Sequence, residues 1–194
     1  MNIKIFVPTL LTLGLVACGG GDPPADARTG WAGIAEKARD GIREEMATEN
    51  LDIGRGVDGL PHAELSPEGD LLIGGKSVSL TPAQRERLLD YRGHLAGVAQ
   101  AGADVGIQGA AIAATAMKEA AKAALGGDQA LMEQRIQAQA DTIKASAHDL
   151  CNRLPGLLES QRAAAEAIPE FVPYANMDET DINDCTAETE VAAS

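Results

Sequence analysis

The sequence predicts a mainly α-helical protein with a small β-meander, an α+β fold in which two long helices form an antiparallel hairpin. Apolar residues recur every three or four positions over two long stretches that begin near residues 81 and 128, which is the period of a helix that packs on one side. Between residues 51 and 81 this period stops, and glycine, proline and turn sequences separate short apolar segments, as is typical of short strands. The length of 194 residues suits one domain with short tails.

A first helix is predicted over residues 31–48, because apolar residues return there at four-residue intervals. Its stripe consists of Ile34, Ala38, Ile42 and Met46. The segment Ser66-Pro67-Glu68-Gly69-Asp70 is a strong turn sequence, and Gly74-Gly75 reverses the chain again. Apolar residues flank both turns, which predicts a meander of two or three strands near residues 61–80.

Thr81, Pro82 and Gln84 begin the first long helix, since Thr81 can cap it, Pro82 suits its first turn and Gln84 completes a capping box. Its stripe consists of Leu88, Tyr91, Leu95, Val98, Gly102, Val105, Gly109, Ile112 and Ala116. Gly126-Gly127 ends this helix.

The returning helix of the hairpin is predicted from Asp128 to Leu154, with Pro155 interrupting it. A short helix over residues 157–168 follows and ends at Pro169. From Asp178 onwards the chain is acidic and is expected to be loose except where a cysteine holds it.

The first eighteen residues predict export followed by lipid attachment. Lys4 gives a positive start, and residues 5–15 are apolar over a length typical of a signal peptide, shorter than the roughly 20 residues of a membrane-spanning helix. Leu15-Val16-Ala17-Cys18 matches the lipobox of bacterial lipoproteins. This resemblance implies cleavage before Cys18 and acylation of its thiol and new amino group, for example with palmitate. An ordinary signal peptide with an incidental cysteine is the alternative.

The residue after the lipobox cysteine is Gly19. In bacterial lipoproteins an Asp there commonly retains the protein at the inner membrane, so we expect the outer membrane, facing the periplasm. The predicted organisation is a signal peptide (1–17), a lipidated cysteine with a flexible tether (18–30), a single mostly helical domain (31–175) and an acidic tail (176–194).

The formal net charge of −13 argues against nucleic acid as a partner, because phosphate binding needs a clustered basic patch. The same acidity repels an anionic membrane surface. The membrane is therefore expected as a partner through the lipid anchor.

Cys151 and Cys185 remain after Cys18 is lipidated. An even pair of cysteines in an oxidising compartment predicts a disulfide, which would tie the acidic tail to the domain. Two reduced, buried thiols are the alternative.

The first long helix carries small residues three or four apart, which let another helix approach closely. Gly102, Gly106 and Gly109 are the candidates for this helix-packing or docking surface. Packing against residues 129–154 of the same chain is the first interpretation. The others are self-association or docking of an envelope protein, and contact with lipid or an apolar ligand.

One further resemblance covers residues 60–125. The segment Gly69-Asp70-Leu71-Leu72-Ile73-Gly74-Gly75-Lys76, followed by Leu80-Thr81, Gln84-Arg85 and Tyr91-Arg92, resembles the YggN-like family of bacterial envelope proteins. This family has no settled activity, so the resemblance implies a compartment and an architecture without a mechanism.

No catalytic, cofactor-binding or metal-binding residue is assigned. Residues 54–59 match G-x-G-x-x-G, yet no strand is predicted before them and no helix after them. The three histidines (His62, His94 and His148) include no pair four residues apart. The acidic residues after Asp178 fail the calcium-loop pattern at its sixth and twelfth positions.

These observations predict a lipoprotein of the bacterial envelope that has no enzymatic activity and no cofactor, and that acts structurally or by binding protein. One rival hypothesis is a carrier of a small apolar ligand or lipid, which needs an apolar cavity above roughly 300 Å³. The other is a hydrolase with a dispersed site, which needs a cleft where a nucleophile and a base converge.

Overall fold

A computed structural model describes residues 25–54, 59–123 and 129–191 of the chain. These residues are mostly helical and include a small four-stranded antiparallel sheet, which confirms the predicted α+β class. The helices are α1 (Ala25–Thr48), α2 (Pro82–Ala123), α3 (Gln129–Ala167) and α4 (Glu179–Val191), with a short 3-10 helix at Val172–Tyr174. The strands are β1 (Leu51–Asp52), β2 (Ala63–Leu65), β3 (Leu71–Ile73) and β4 (Lys76–Ser77).

α1 begins six residues before the predicted start at residue 31, so part of the predicted tether (18–30) is helical. Its inward face also differs from the predicted stripe, since Ile34 is 60% exposed. Over residues 33–48, where the exposure of α1 is described, the positions that are not exposed are Ala35, Arg39, Ile42 and Met46. Arg39 forms an ion pair with Asp104 of α2, which fixes this face against α2.

The sheet follows the strand order β1-β2-β3-β4, with every neighbouring pair antiparallel. Four strands are present where two or three were predicted. The additional strand β1 pairs Leu51 with Leu65, and the Ile53 N–H donates to the Ala63 carbonyl. Pairing with β2, not a local pattern of its own, makes this two-residue segment extended.

The turn between β2 and β3 is closed by Ser66, whose hydroxyl oxygen accepts from the backbone N–H groups of Glu68 and Asp70 at 3.2 and 3.1 Å. Gly69 has φ +81°, and a β-carbon there would lie 2.8 Å from Leu89 Cγ and 2.9 Å from the Arg85 carbonyl oxygen. Glycine is therefore required at position 69, because it lets the turn lie directly on α2.

The capping box at the start of α2 is present as predicted. The Thr81 N–H donates to Gln84 Oε1 at 2.9 Å, and the Gln84 N–H donates to Thr81 Oγ1 at 3.3 Å. Gln84 also donates through Nε2 to the Ala167 carbonyl at 2.7 Å, so this side chain joins the start of α2 to the end of α3.

α3 continues through Pro155, so the predicted interruption and the separate short helix over 157–168 are wrong. A proline inside a helix removes one backbone hydrogen bond and costs about 3 kcal/mol or more. Here Cys151, Leu157 and Leu158 are buried on either side of it. Burial of several side chains outweighs one lost backbone bond, and α3 stays helical to Ala167.

We call the compact end of the molecule the head, which contains the sheet, residues 82–98 and residues 151–175. Its core consists of Leu65, Leu71, Leu88, Tyr91, Leu157, Ala164, Ile168 and Phe171. The rings of Tyr91 and Phe171 pack edge to face with centroids 5.3 Å apart. The Tyr174 hydroxyl donates to the Pro61 carbonyl at 2.8 Å, which ties the 3-10 helix to the sheet side.

We call residues 99–123 and 129–150 the stem. Gln108 contacts Ser146 and, farther along α2, Glu119 pairs with Arg135, which comes earlier in α3. None of the residues 102–121 and 130–150 is fully buried. The stem is therefore held by partly exposed contacts, in contrast to the closed core of the head.

The tail predicted to be loose forms α4 instead. Asp178 caps this helix by accepting from the Thr180 N–H at 2.6 Å, and the Asp178 N–H donates to Asp181 at 2.8 Å. Carboxylates in the first turn also suit the positive end of the helix dipole. The hydrogen bonds from Thr180 lower the pKa of Asp178. The acidic residues thus begin a helix, whereas the sequence predicted a loose segment.

Candidate functional site

Of the residues predicted to matter, the structure describes the cysteine pair and the glycine surface. Cys18, the predicted lipidation site, lies outside the described residues. Within the described ranges, no helix combines the length and the apolar character that crossing a bilayer needs.

Cys151 and Cys185 form a disulfide, as the sequence predicts, with Cα atoms 5.7 Å apart. Cys151 is buried in α3, and Cys185 lies in the middle of α4. The bridge therefore fastens α4 along the side of α3. Gln161 adds two hydrogen bonds nearby, to the carbonyl and the N–H of Met177 at 2.9 and 3.2 Å.

At two of the three residues of the predicted helix-packing or docking surface, no other helix approaches closely. A β-carbon on Gly102 or Gly106 would meet no atom within 4 Å, and one on Gly109 would lie 4.0 Å from Ile143 Cδ1. The residues are small, but α3 does not approach them closely. At Gly102 and Gly106 the spacing does not serve packing within the chain.

The close approach between α2 and α3 occurs at Gly156 instead. A β-carbon there would lie 2.8 Å from Cε1 and 3.0 Å from Nδ1 of the His94 imidazole. A single glycine behind a proline carries no repeated spacing, so the sequence pattern could not mark it. Its position opposite the exposed His94 is a property of the folded head.

A polar cavity of about 410 Å³ lies between α2 and α3 where the head meets the stem. Its lining is Gly97, Gln100, Ala101, Asp104, Gln108, Thr142, Ala145, Ser146, Asp149 and Arg153. Gln108 and Ser146 exchange hydrogen bonds at 2.8 and 3.0 Å across it, and Arg153 donates to Asp149 at 3.0 Å. Sequence reasoning missed this cavity because its residues come from two helices far apart in the chain.

The side chains that line this cavity offer hydrogen bonds and ion pairs. The ten lining residues include no histidine and no cysteine, so the Ser146 hydroxyl has no imidazole beside it to act as a base. Over the described part of the chain, no three His, Cys, Asp or Glu side chains come together in a way that could hold a metal ion.

Arg92 is the most constrained charged side chain of the head, with 6% of its surface exposed. Its Nη1 donates to the Leu65 carbonyl at 2.7 Å, and its Nη2 donates to the carbonyls of Met46 and Glu49 at 2.7 and 2.6 Å. One guanidinium thus joins α2 to β2 and to the end of α1. Burial lowers the pKa of Arg92, while the carboxylate of Glu68 raises it. An arginine pKa near 12.5–13.8 keeps the group charged at neutral pH.

Five residues between positions 69 and 92 have a structural role in the head. Gly69 permits the turn, Gln84 caps α2, Arg85 pairs with Asp70, and Arg92 joins three elements. Each of these residues stabilises the head. Together they hold the turn between β2 and β3, the start of α2 and the end of α1 in one unit.

Comparison with known proteins identifies no relative. No family model matches the chain, and no curated protein or solved structure shows significant similarity to it.

Proposed function

We propose that this protein is a lipoprotein held in the outer membrane by Cys18, with its folded part in the periplasm in a structural or protein-binding role. The lipobox Leu15-Val16-Ala17-Cys18, placed directly after an apolar segment of signal-peptide length, carries this proposal. Gly19 after the cysteine favours the outer membrane over the inner one.

The use of cysteine supports an exported protein. The chain has three cysteines, of which Cys151 and Cys185 are joined in the structure. Disulfides persist in oxidising compartments such as the periplasm and are rare in the cytosol. The third cysteine, Cys18, is the one that a lipid attachment would consume.

We further propose that α2 and α3 form one long antiparallel hairpin, the architecture that the apolar periodicity of the sequence predicts. Three contacts support it: Gln84 with Ala167, Gln108 with Ser146, and Glu119 with Arg135. As the first partner advances along α2, the second moves back along α3. This order is the one that an antiparallel pair of helices requires.

The polar cavity favours a binding role over the rival hypotheses. Its volume of about 410 Å³ exceeds what a small ligand needs, but seven of its ten lining residues are polar, which suits an apolar carrier poorly. Its Ser146 hydroxyl is bound to the Gln108 amide and not to a base, which gives a hydrolase no support at this place.

The test is lipid labelling of the full chain in bacterial cells, followed by membrane fractionation. Cys18→Ser should lose the labelled acyl chain and leave the membrane fraction, because a thioether needs the thiol. Gly19→Ser is the matched control, since it changes the next residue and keeps the thiol, and it should be labelled like the unmodified chain. Labelling of the Cys18→Ser variant at the level of the control would contradict the proposal.

A second variant addresses which membrane holds the anchor. Gly19→Asp should keep the label and move the protein from the outer to the inner membrane fraction. Unchanged outer-membrane fractionation of this variant would show that Gly19 does not determine the location.

A further inference from the structure

The direction of α1 determines which end of the molecule lies near the lipid anchor. Arg39 pairs with Asp104, whereas the carbonyls of Met46 and Glu49, nearer the end of α1, accept from Arg92, nearer the start of α2. α1 therefore runs antiparallel to α2. Its beginning points along the stem, away from the head.

The position of the anchor follows from the helical rise. Ala25 lies 14 residues before Arg39, which is about 21 Å along α1 in the direction of the end of α2. Cys18 is seven residues before Ala25, so the chain between them spans at most about 25 Å. The lipid must therefore enter the membrane within that distance of the beginning of α1.

The head lies too far from the beginning of α1 to contact the membrane that holds the lipid when the stem stands perpendicular to that membrane. Pro82, at the start of α2, lies 22 residues from Asp104 in the opposite direction, which is about 33 Å. Ala25 and the start of α2 are thus separated by about 54 Å along the stem, more than twice the span of the seven-residue connection. An upright molecule with its head on the membrane is excluded.

The other end of the stem, which we call the distal end (residues 117–123 and 129–135), carries exposed apolar side chains. Met117 is 71% exposed and lies six residues before the end of α2. Leu131 is 46% exposed and lies two residues after the start of α3. The pairing of Arg135 with Glu119 at 3.6 Å places the two helices level with each other here.

Charge also distinguishes the distal end from the rest of the protein. The distal end has three basic and two acidic residues, so its formal net charge is +1, whereas the whole chain carries −13. The basic residues are Lys118, Lys122 and Arg135, and the acidic residues are Glu119 and Glu133. An anionic leaflet repels the acidic remainder of the chain and does not repel this segment.

We propose that the distal end rests on the phospholipid leaflet that holds the Cys18 lipid, with Met117 and Leu131 among the headgroups, and that the head is held away from the membrane. This inference rests on the proposed lipid anchor. Two partly exposed apolar side chains bind a bilayer weakly by themselves. The anchor makes the contact intramolecular, so that a weak contact is sufficient.

The test uses the lipidated full chain on vesicles of equimolar phosphatidylcholine and phosphatidylglycerol. A Met117→Cys variant carries the one free thiol, because the Cys18 sulfur is in a thioether and Cys151 is paired with Cys185. A fluorophore on this thiol reports access to aqueous iodide and to bromine-labelled lipid. Val172→Cys is the matched control, since Val172 is 53% exposed and lies in the head.

At position 117, iodide quenching should fall severalfold when the protein binds the vesicles, and brominated lipid should quench the fluorophore. At position 172, iodide should still quench the fluorophore and brominated lipid should not. Adding Leu131→Asp to the Met117→Cys variant should return iodide access at position 117. Equal iodide access at the two positions on vesicle-bound protein overturns the inference, and so does shielding at both, which describes a molecule lying flat.

The mass of the N-terminal peptide and flotation of the vesicles are measured first in every sample. A lipidated protein that floats with an iodide-accessible distal end refutes the orientation and leaves the anchor intact. An unlipidated protein refutes both, and the two failures are thereby distinguished.

Discussion

Removing the Arg92 guanidinium should release α1 from the head. α1 has no basic residue in its last turn, so its terminal carbonyls depend on a cation from another helix. Arg92 of α2 supplies it through its bonds to the Met46 and Glu49 carbonyls, and it also bonds the Leu65 carbonyl of β2. We expect Arg92→Met, which keeps most of the aliphatic stem, to lose all three bonds.

The magnitude follows from the burial of the acceptors. A hydrogen bond to a charged group contributes about 1.5–3 kcal/mol, and an acceptor left buried costs about 1–3 kcal/mol. The two carbonyls at the end of α1 can turn to water, which recovers part of the loss. We therefore expect Arg92→Met to lower the free energy of unfolding by about 3–5 kcal/mol. The free energy of unfolding of Arg92→Lys should lie between those of the unmodified protein and Arg92→Met, because one ammonium group cannot span three carbonyls.

The assay is urea unfolding followed by circular dichroism, with Arg87→Met as the control. Arg87 lies on the same helix and is exposed, so its substitution should change stability by less than about 0.5 kcal/mol. Amide hydrogen exchange should also show α1 losing protection before α2 in the Arg92→Met protein. Equal midpoints for Arg92→Met and Arg87→Met would refute the role assigned to this side chain.

Three further predictions concern other parts of the fold. Burial raises the pKa of Tyr91 to about 12, so this group should not change the free energy of unfolding below pH 10. Between pH 10 and 12 the tyrosine of the unfolded chain ionises first, and the free energy of unfolding should fall by about 1.4 kcal/mol per pH unit. Alkaline denaturation of Tyr91→Phe should lack that slope. Gly102→Ala should raise the free energy of unfolding by up to about 1 kcal/mol, because its β-carbon meets no atom, whereas Gly69→Ala should lower it. A destabilised Gly102→Ala protein would show a close contact at that position. Reduction of the Cys151–Cys185 bridge, whose sequence separation is 34, should lower stability by about 3–4 kcal/mol, and thiol labelling of both cysteines in unreduced, denatured protein would contradict the bridge.

Local sequence rules predicted the elements that local interactions build. The capping box at Thr81 and Gln84 and the turn at Ser66 depend on hydrogen bonds within a few residues, and both are present. The disulfide needed no geometry to predict, because assigning Cys18 to the predicted lipid leaves two cysteines and one possible pair. The first two predictions depend on hydrogen bonds between residues that are close in the sequence, and the third depends on the number of cysteines.

The predictions that were wrong concern elements whose conformation depends on contacts with residues far away in the sequence. Burial of Leu157 and Leu158 keeps α3 helical through Pro155, and pairing with β2 makes β1 a strand. The acidic tail is helical because Asp178 caps it and Cys185 fixes it to α3. Asp178 is a good helix cap by sequence alone, although the acidic composition of the tail favoured the prediction of a loose segment. The helical path through Pro155 and the strand β1 depend on contacts that only the fold provides.

Glycine spacing was the least reliable pattern for locating a contact. Gly102 and Gly106 have the spacing of close helix packing and no neighbouring atom within reach of a β-carbon. Gly156, without any repeat, lies directly against His94. Small residues permit a close approach, but the opposing side chains and the helix directions determine whether it happens.

Anchoring of the protein to the membrane through Cys18 is tested by the mass of the N-terminal peptide of the protein extracted from bacterial membranes. We expect a peptide that begins at Cys18 and carries a diacylglycerol on the sulfur and an acyl chain on the amino group. A peptide that begins at any other residue, or that contains Cys18 with an unmodified thiol, would contradict it.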